Sequence, residues 1–147
     1  MRRRVGILLL LSILALFSGC AKAKQEGHAV MFEGLVQLGE QGVYFKGERV
    51  GEVLSLDQGA GYVTRAMVRL SPEFITHMGN NMALYVDSGL LQADTLQGMG
   101  GEFDPTVPIC GFGSQAAFNW FKFKTLLNDR VFVARQRALE LQARMGP

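Results

Sequence analysis

The sequence predicts a mainly β fold: a small barrel or sandwich of short strands, followed by one long C-terminal α-helix. Three observations carry this expectation. Short apolar runs between residues 28 and 110 are punctuated by turn residues, and most of the 18 glycines lie there. From Ser114 the texture changes, with no Gly or Pro until Gly146. An apolar seam in steps of three and four then runs through Trp120, Phe123, Leu127, Val131, Ala134, Ala138, Leu141 and Met145, which is helical spacing. A length of 147 residues favours one domain, and 48% hydrophobic content excludes a disordered chain. Two cysteines exclude a disulfide scaffold, and 15 Lys+Arg against 13 Asp+Glu give no reason to expect nucleic acid.

The first element is an address. Arg2, Arg3 and Arg4 precede an apolar run from Val5 to Phe17. About 13 such residues are too few for a span, which needs about 20, and suit a secretory signal. Phe17-Ser18-Gly19-Cys20 then resembles the bacterial lipoprotein cleavage box. That resemblance implies cleavage after Gly19, leaving residues 1–19 as a leader, with a diacylglycerol on the Cys20 sulfur and a further acyl chain on its amine. Loss of the leader removes three arginines, so the slight basicity belongs to the signal. Residues 20–27, with Lys22 and Lys24, form a short polar tether. In a two-membrane bacterium, Ala21 in place of Asp favours the outer membrane, with the inner membrane as the alternative. Cys110 is read as a buried small hydrophobe near Val107 and Ile109.

The β region is expected over 28–110. Val30, Phe32, Leu35, Val36 and Leu38 open it, and Gly39-Glu40-Gln41-Gly42 is turn chemistry. Val43-Tyr44-Phe45 and Val50 to Leu56 follow as strands, with a turn over Asp57 to Gly61. Tyr62 to Leu70 reads as a strand with Tyr62, Thr64, Ala66, Val68 and Leu70 on one face. Ser71-Pro72-Glu73 is an N-cap with Pro at the first helical position, opening a helix of a turn or two. Met82 to Val86, Leu90 to Leu96 and Phe103 to Cys110 complete the strands. Gly111-Phe112-Gly113 is a hinge and Ser114 an N-cap. The amphipathic helix over 114–144 extends about 46 Å at 1.5 Å per residue. Lys122, Lys124 and Asp129 interrupt any span. So much apolar surface exceeds what a small barrel covers, so the helix is expected to meet other helices or lipid; the alternative is that it lies along its own barrel.

Phe32 to Leu56 reads FEGLVQLGEQGVYFKGERVGEVLSL. This resembles the opening of the mammalian cell entry (MCE) domain of the MlaD type, on Val43, Phe45, Gly47, Val50, Gly51 and Val53. Asp87-Ser88-Gly89-Leu90-Leu91 resembles the family's later GLLG segment, with Gln92 replacing its last glycine. Physically, Gly47 and Gly51 are expected to flank a tight turn at Glu48-Arg49-Val50. The resemblance implies a seven-stranded MCE-like barrel in a homo-hexamer, or in a ring with related MCE proteins, that passes phospholipid or another hydrophobic ligand between membranes. It also implies partners of the ABC permease and ATPase type. The lipid anchor at Cys20 departs from family members that keep an uncleaved transmembrane helix.

Catalytic patterns are missing: His28 and His77 are isolated, and no nucleophile elbow or phosphate loop occurs. Neither a cofactor nor a metal is expected, and the chain is not expected to be an enzyme. Gly98-Met99-Gly100-Gly101 reads as a turn, or as a ring-centre loop with Leu96 and Met99 on lipid. Candidate pore or lipid contacts are therefore Leu96, Met99, Trp120, Phe123, Leu127, Val131, Ala134, Ala138 and Leu141. The expected function is a periplasm-facing lipoprotein that binds or conducts lipid passively within a transport system. The rival is an adaptor that tethers such a complex without binding lipid.

Overall fold

A computed structural model describes residues 27–146. The expected leader, the acylation site Cys20 with Ala21, and the tether up to residue 26 lie outside the described residues. Seven strands form a closed barrel: β1 (His28–Glu33), β2 (Gly42–Phe45), β3 (Glu48–Gly59), β4 (Val63–Leu70), β5 (Met82–Asp87), β6 (Leu90–Thr95) and β7 (Ile109–Phe112). Three helices accompany them: α1 (Pro72–Met78), α2 (Gln115–Lys124) and α3 (Arg130–Met145). Around the barrel the order is β1-β4-β3-β2-β6-β5-β7. The pairs β1–β7, β5–β7 and β2–β6 are parallel, and the others antiparallel. The mainly β class and the seven-stranded barrel expected from the sequence are what the chain forms.

Two tight hairpins set the register. Lys46 and Gly47 have φ of 51° and 85°, and Ser88 and Gly89 have φ of 52° and 80°. Each two-residue loop joins directly paired residues, Phe45 with Glu48 and Asp87 with Leu90, as primed turns require. The turn is therefore Lys46-Gly47, and the expected turn at residues 48–50 is corrected. Gly51 lies within β3, where a Cβ would stand 2.3 Å from the Arg69 carbonyl oxygen of β4. Val50 is the extra residue of a β-bulge opposite Val43 and Tyr44.

The β4 pattern is read correctly in part. Thr64, Ala66, Val68 and Leu70 are buried on one face. Tyr62 instead lies in the β3–β4 loop at φ 55°, exposed, its carbonyl accepting from the Gly34 amide at 2.6 Å. The expected strand over Phe103–Cys110 starts only at Ile109, since Pro105 and Pro108 lack the N–H that a ladder needs, and it runs on to Phe112, so Gly111 and Phe112 of the expected hinge are paired strand residues. Ser71 caps α1 as expected, its Oγ accepting from the Phe74 amide at 3.3 Å.

The barrel interior is filled by side chains. Val30, Phe32, Val43, Ala66, Val68, Leu84 and Leu91 are fully buried in one cluster, as a barrel of this strand number permits. Apolar residues on the outer face are covered by helices. Ala83, Cys110 and Phe112 pack under α2 and α3, while Met31 and Val63 lie under the far end of α3.

The single long helix is corrected to two. The chain breaks over residues 125–129, where Thr125 Oγ1 bonds back to the Phe121 carbonyl at 2.7 Å. Asp129 starts the next helix, Oδ1 accepting from the amides of Val131 at 3.0 Å and Phe132 at 3.2 Å. Asn128 and Asp129 prefer such local bonds to a helix interior. Redirected there, α3 lies along the barrel. Three ion pairs clamp it: Arg135 to Asp104 at 3.1 Å, and Arg137 and Arg144 to Glu33 at 2.9 and 3.4 Å. Hydrogen bonds from the Thr106 hydroxyl and amide hold the Asp104 carboxyl below its ordinary value, and Arg135 adds to this.

Candidate functional site

The break divides the apolar seam into two unlike halves. Val131, Ala134, Ala138 and Leu141 are buried against the chain's own barrel. Their expected exposure to a pore or lipid is corrected: small Ala134 and Ala138 let α3 approach β7 closely, and the barrel covers this half. Leu96 is likewise buried, in the cluster beneath α2 and α3.

The other half has no such cover. Trp120, Phe123 and Leu127 are exposed, Leu127 to 96%, and Met99 is exposed to 92%. Leu126 and Phe132, which widen the apolar stripe in the sequence, are exposed to 65% and 62%. Six large apolar side chains thus gather about the α2–α3 junction. Scattered surface leucines need no explanation, but six large exposed apolar side chains within one short helix–turn–helix and the loop bonded to it suit a contact surface. Trp120 and Phe123 stack at 5.5 Å with an interplanar angle of 20°, and Lys124 Nζ stands 5.6 Å from the Trp120 ring centroid.

The mount beneath the patch is well tied. Arg130, buried, donates from Nη2 to the Lys122 carbonyl at 2.9 Å and from Nη1 to Gln97 Oε1 at 3.3 Å. Its amide also donates to the Gln97 carbonyl at 3.1 Å. The Met99 amide donates to Asp129 Oδ2 at 3.2 Å, and Asn81 Nδ2 donates to the carbonyls of Leu96 and Gly98, each at 3.2 Å. The Gly98–Gly101 loop is therefore a buttress of the junction, and Met99 is its outward tip. Arg130 is the residue that sequence reasoning missed. It is one of several arginines in that stretch, and its burial depends on a glutamine 33 residues away.

Beneath α2, Phe118 and Phe121 meet Phe112 at 5.2 and 4.9 Å, and Tyr85 stacks on Phe118 at 5.0 Å. Burial raises the Tyr85 phenol, with the Asp94 and Asp87 carboxylates adding to this. Beside His28 a groove of about 740 Å³ is walled by Leu70, Pro72, Ile75, Phe103 and Pro105, and His28 meets the Phe103 ring edge-on at 4.8 Å.

The positions on which the sequence resemblance rests are structural. Val43, Val53 and Leu91 are core residues, and Phe45 packs on Phe74 at 5.3 Å. Val50 forms the bulge, Gly47 and Gly89 turn the hairpins, and half-buried Leu90 opens β6. Cys110 is 3% exposed, and burial pushes its thiol up to about 12. Among the described residues, no group of three or more His, Cys, Asp and Glu could hold a metal ion, and no helix is long and apolar enough to cross a membrane. No protein-family model matches the chain, and no curated protein matches it.

Proposed function

We propose that this chain is an MCE-like, lipid-anchored subunit that binds or conducts phospholipid between bacterial membranes, as one protomer of a ring. Cys20 carries the acyl anchor, the protein faces the periplasm, and energy for transport comes from a partner ATPase. The chemistry is passive: apolar side chains shield acyl tails from water. The observation that carries this reading is the exposed apolar junction of Trp120, Phe123, Leu126, Leu127, Phe132 and Met99, held on a hydrogen-bonded mount outside a filled barrel. A filled interior leaves the outer surface for a hydrophobic ligand, and the seven-stranded closed barrel agrees with the family resemblance.

A photo-crosslinking side chain at Leu127 tests this in living cells. Phospholipid adducts at Leu127, with none at buried Leu141, are expected. Adducts only to proteins at Leu127 would favour the adaptor reading.

A further inference from the structure

The strand directions place the patch at a particular end of the barrel. β1 runs parallel to β7, with Val30 opposite Ile109, and β7 runs parallel to β5, with Leu84 opposite Gly111. The starts of all three strands therefore share one end. The loop that leads into β7 carries Met99, whose amide is bonded to Asp129, and Phe103, whose ring meets His28. The opposite end of α3 bonds to the far end, through Arg144 to Glu33 and to the Gly61 carbonyl. The α2–α3 junction and the point where the chain enters β1 thus lie at the same end of the barrel, on neighbouring strands.

We propose that this end is a membrane-seating face: the junction patch rests in the interface of the same bilayer that holds the Cys20 anchor. The proposal rests on the lipid anchor of the reading above, and it identifies that bilayer as the place where lipid enters or leaves. The length of chain before the barrel supports it. Residues 20–26 are seven residues and reach at most about 25 Å when fully extended. An anchor at Cys20 therefore keeps the His28 end close to the bilayer. The side chains suit that position. Trp prefers the interface because its ring is apolar while its N–H stays wet. Phe123, Leu126, Leu127 and Met99 are apolar and outward. Lys124, riding on Trp120, is beside them, and Lys22 and Lys24 lie in the tether; all three favour anionic headgroups. Of the carboxylates near the junction, Asp94 pairs with Lys122 at 3.4 Å and Asp129 caps α3, while Glu102 on the Met99 loop is exposed and Glu26 lies in the tether beside the two lysines.

Trp120 is the chain's one tryptophan, so its fluorescence reports on this face alone. The acylated protein is reconstituted into vesicles of phosphatidylethanolamine and phosphatidylglycerol that contain lipids brominated high on the acyl chain. Seating predicts Trp120 quenching that grows with the brominated fraction. Phe123→Glu with Leu127→Glu, both at exposed sites, should abolish most of the quenching while the anchor keeps the protein on the vesicle. Unquenched Trp120 on vesicle-bound protein would overturn the proposal. So would a blue-shifted, unquenched Trp120 with cross-links between protomers at Leu127, which would make a second copy the occupant. Quenching that survives transfer to detergent with one brominated lipid retained would also overturn seating, while leaving the lipid-handling function intact. Bilayer quenching in a protein that carries no lipid would do the reverse.

Discussion

Arg137 donates from Nη2 to Glu33 Oε2 at 2.9 Å, a bond between the last helix and the first strand, 104 residues apart in sequence. The Arg137 guanidinium also lies 5.1 Å from the Phe112 ring centroid. The contact helps fix the position of α3 on its own barrel, where burial of Val131, Ala134, Ala138 and Leu141 supplies most of the hold. Both side chains are partly exposed, so a double-mutant cycle of Glu33→Gln and Arg137→Met should give a coupling of about 0.5–1 kcal/mol that weakens with salt. Urea midpoints at low and high ionic strength measure it.

The two halves of the apolar seam should respond in opposite ways to truncation. Leu141 is 2% exposed and packs with Met31 and Val63. Leu141→Ala should cost about 2–4 kcal/mol through lost burial and the cavity left behind. Leu127→Ala, at a fully exposed position, should change stability by no more than about 0.5 kcal/mol. Thermal or urea unfolding of the two variants side by side gives the comparison.

Two glycines of the first motif make separable predictions. A Cβ at Gly51 meets backbone of β4, which can yield only by distorting the sheet. Gly51→Ala should therefore cost about 2 kcal/mol or more. Gly47 has open space around it but φ of 85°, so Gly47→Ala should cost about 1 kcal/mol for the left-handed backbone alone. The same unfolding measurements rank them.

Cys110 should be inert in the folded protein. Its thiol is buried, and desolvation moves it from the ordinary 9.0 to about 12, with Arg137 acting weakly the other way. A thiol reagent at neutral pH should label it only after unfolding. The raised folded value also links it to stability. Its contribution is complete below about 9 and is lost as pH rises from about 9 towards about 12, because the unfolded thiol ionises first. Relative to wild type, Cys110→Val should lose less stability across that window.

Local signals made much of the fold legible in the sequence. Val43, Phe45, Val50 and Val53 around Lys46-Gly47 announce a hairpin, because alternation and a turn glycine act over a few residues. Ser71-Pro72 announces α1 for the same reason. The helix break was also locally encoded, in Thr125, Asn128 and Asp129. The apolar seam crosses the break without a gap, and its one irregularity, two successive steps of four from Phe123 through Leu127 to Val131, falls there and reads as a variation within one helix. What covers that seam is a tertiary matter. Nothing near Ala138 in sequence says that Glu33 and Asp104 lie where Arg137 and Arg135 can reach them. The candidate site was therefore half legible: Trp120, Phe123, Leu127 and Met99 are the exposed members, while Leu96, Val131, Ala134, Ala138 and Leu141 belong to the core.

In the proposed function the protein is acylated at Cys20, forms a ring and carries lipid on its apolar junction. Native mass spectrometry of the chain released from membranes in mild detergent tests it most directly, since one spectrum reports oligomer size, anchor mass and bound lipid. The expected spectrum is that of a ring, a hexamer by the family resemblance, with acylated Cys20 and phospholipid retained. A monomer with neither acyl mass nor bound lipid would contradict it.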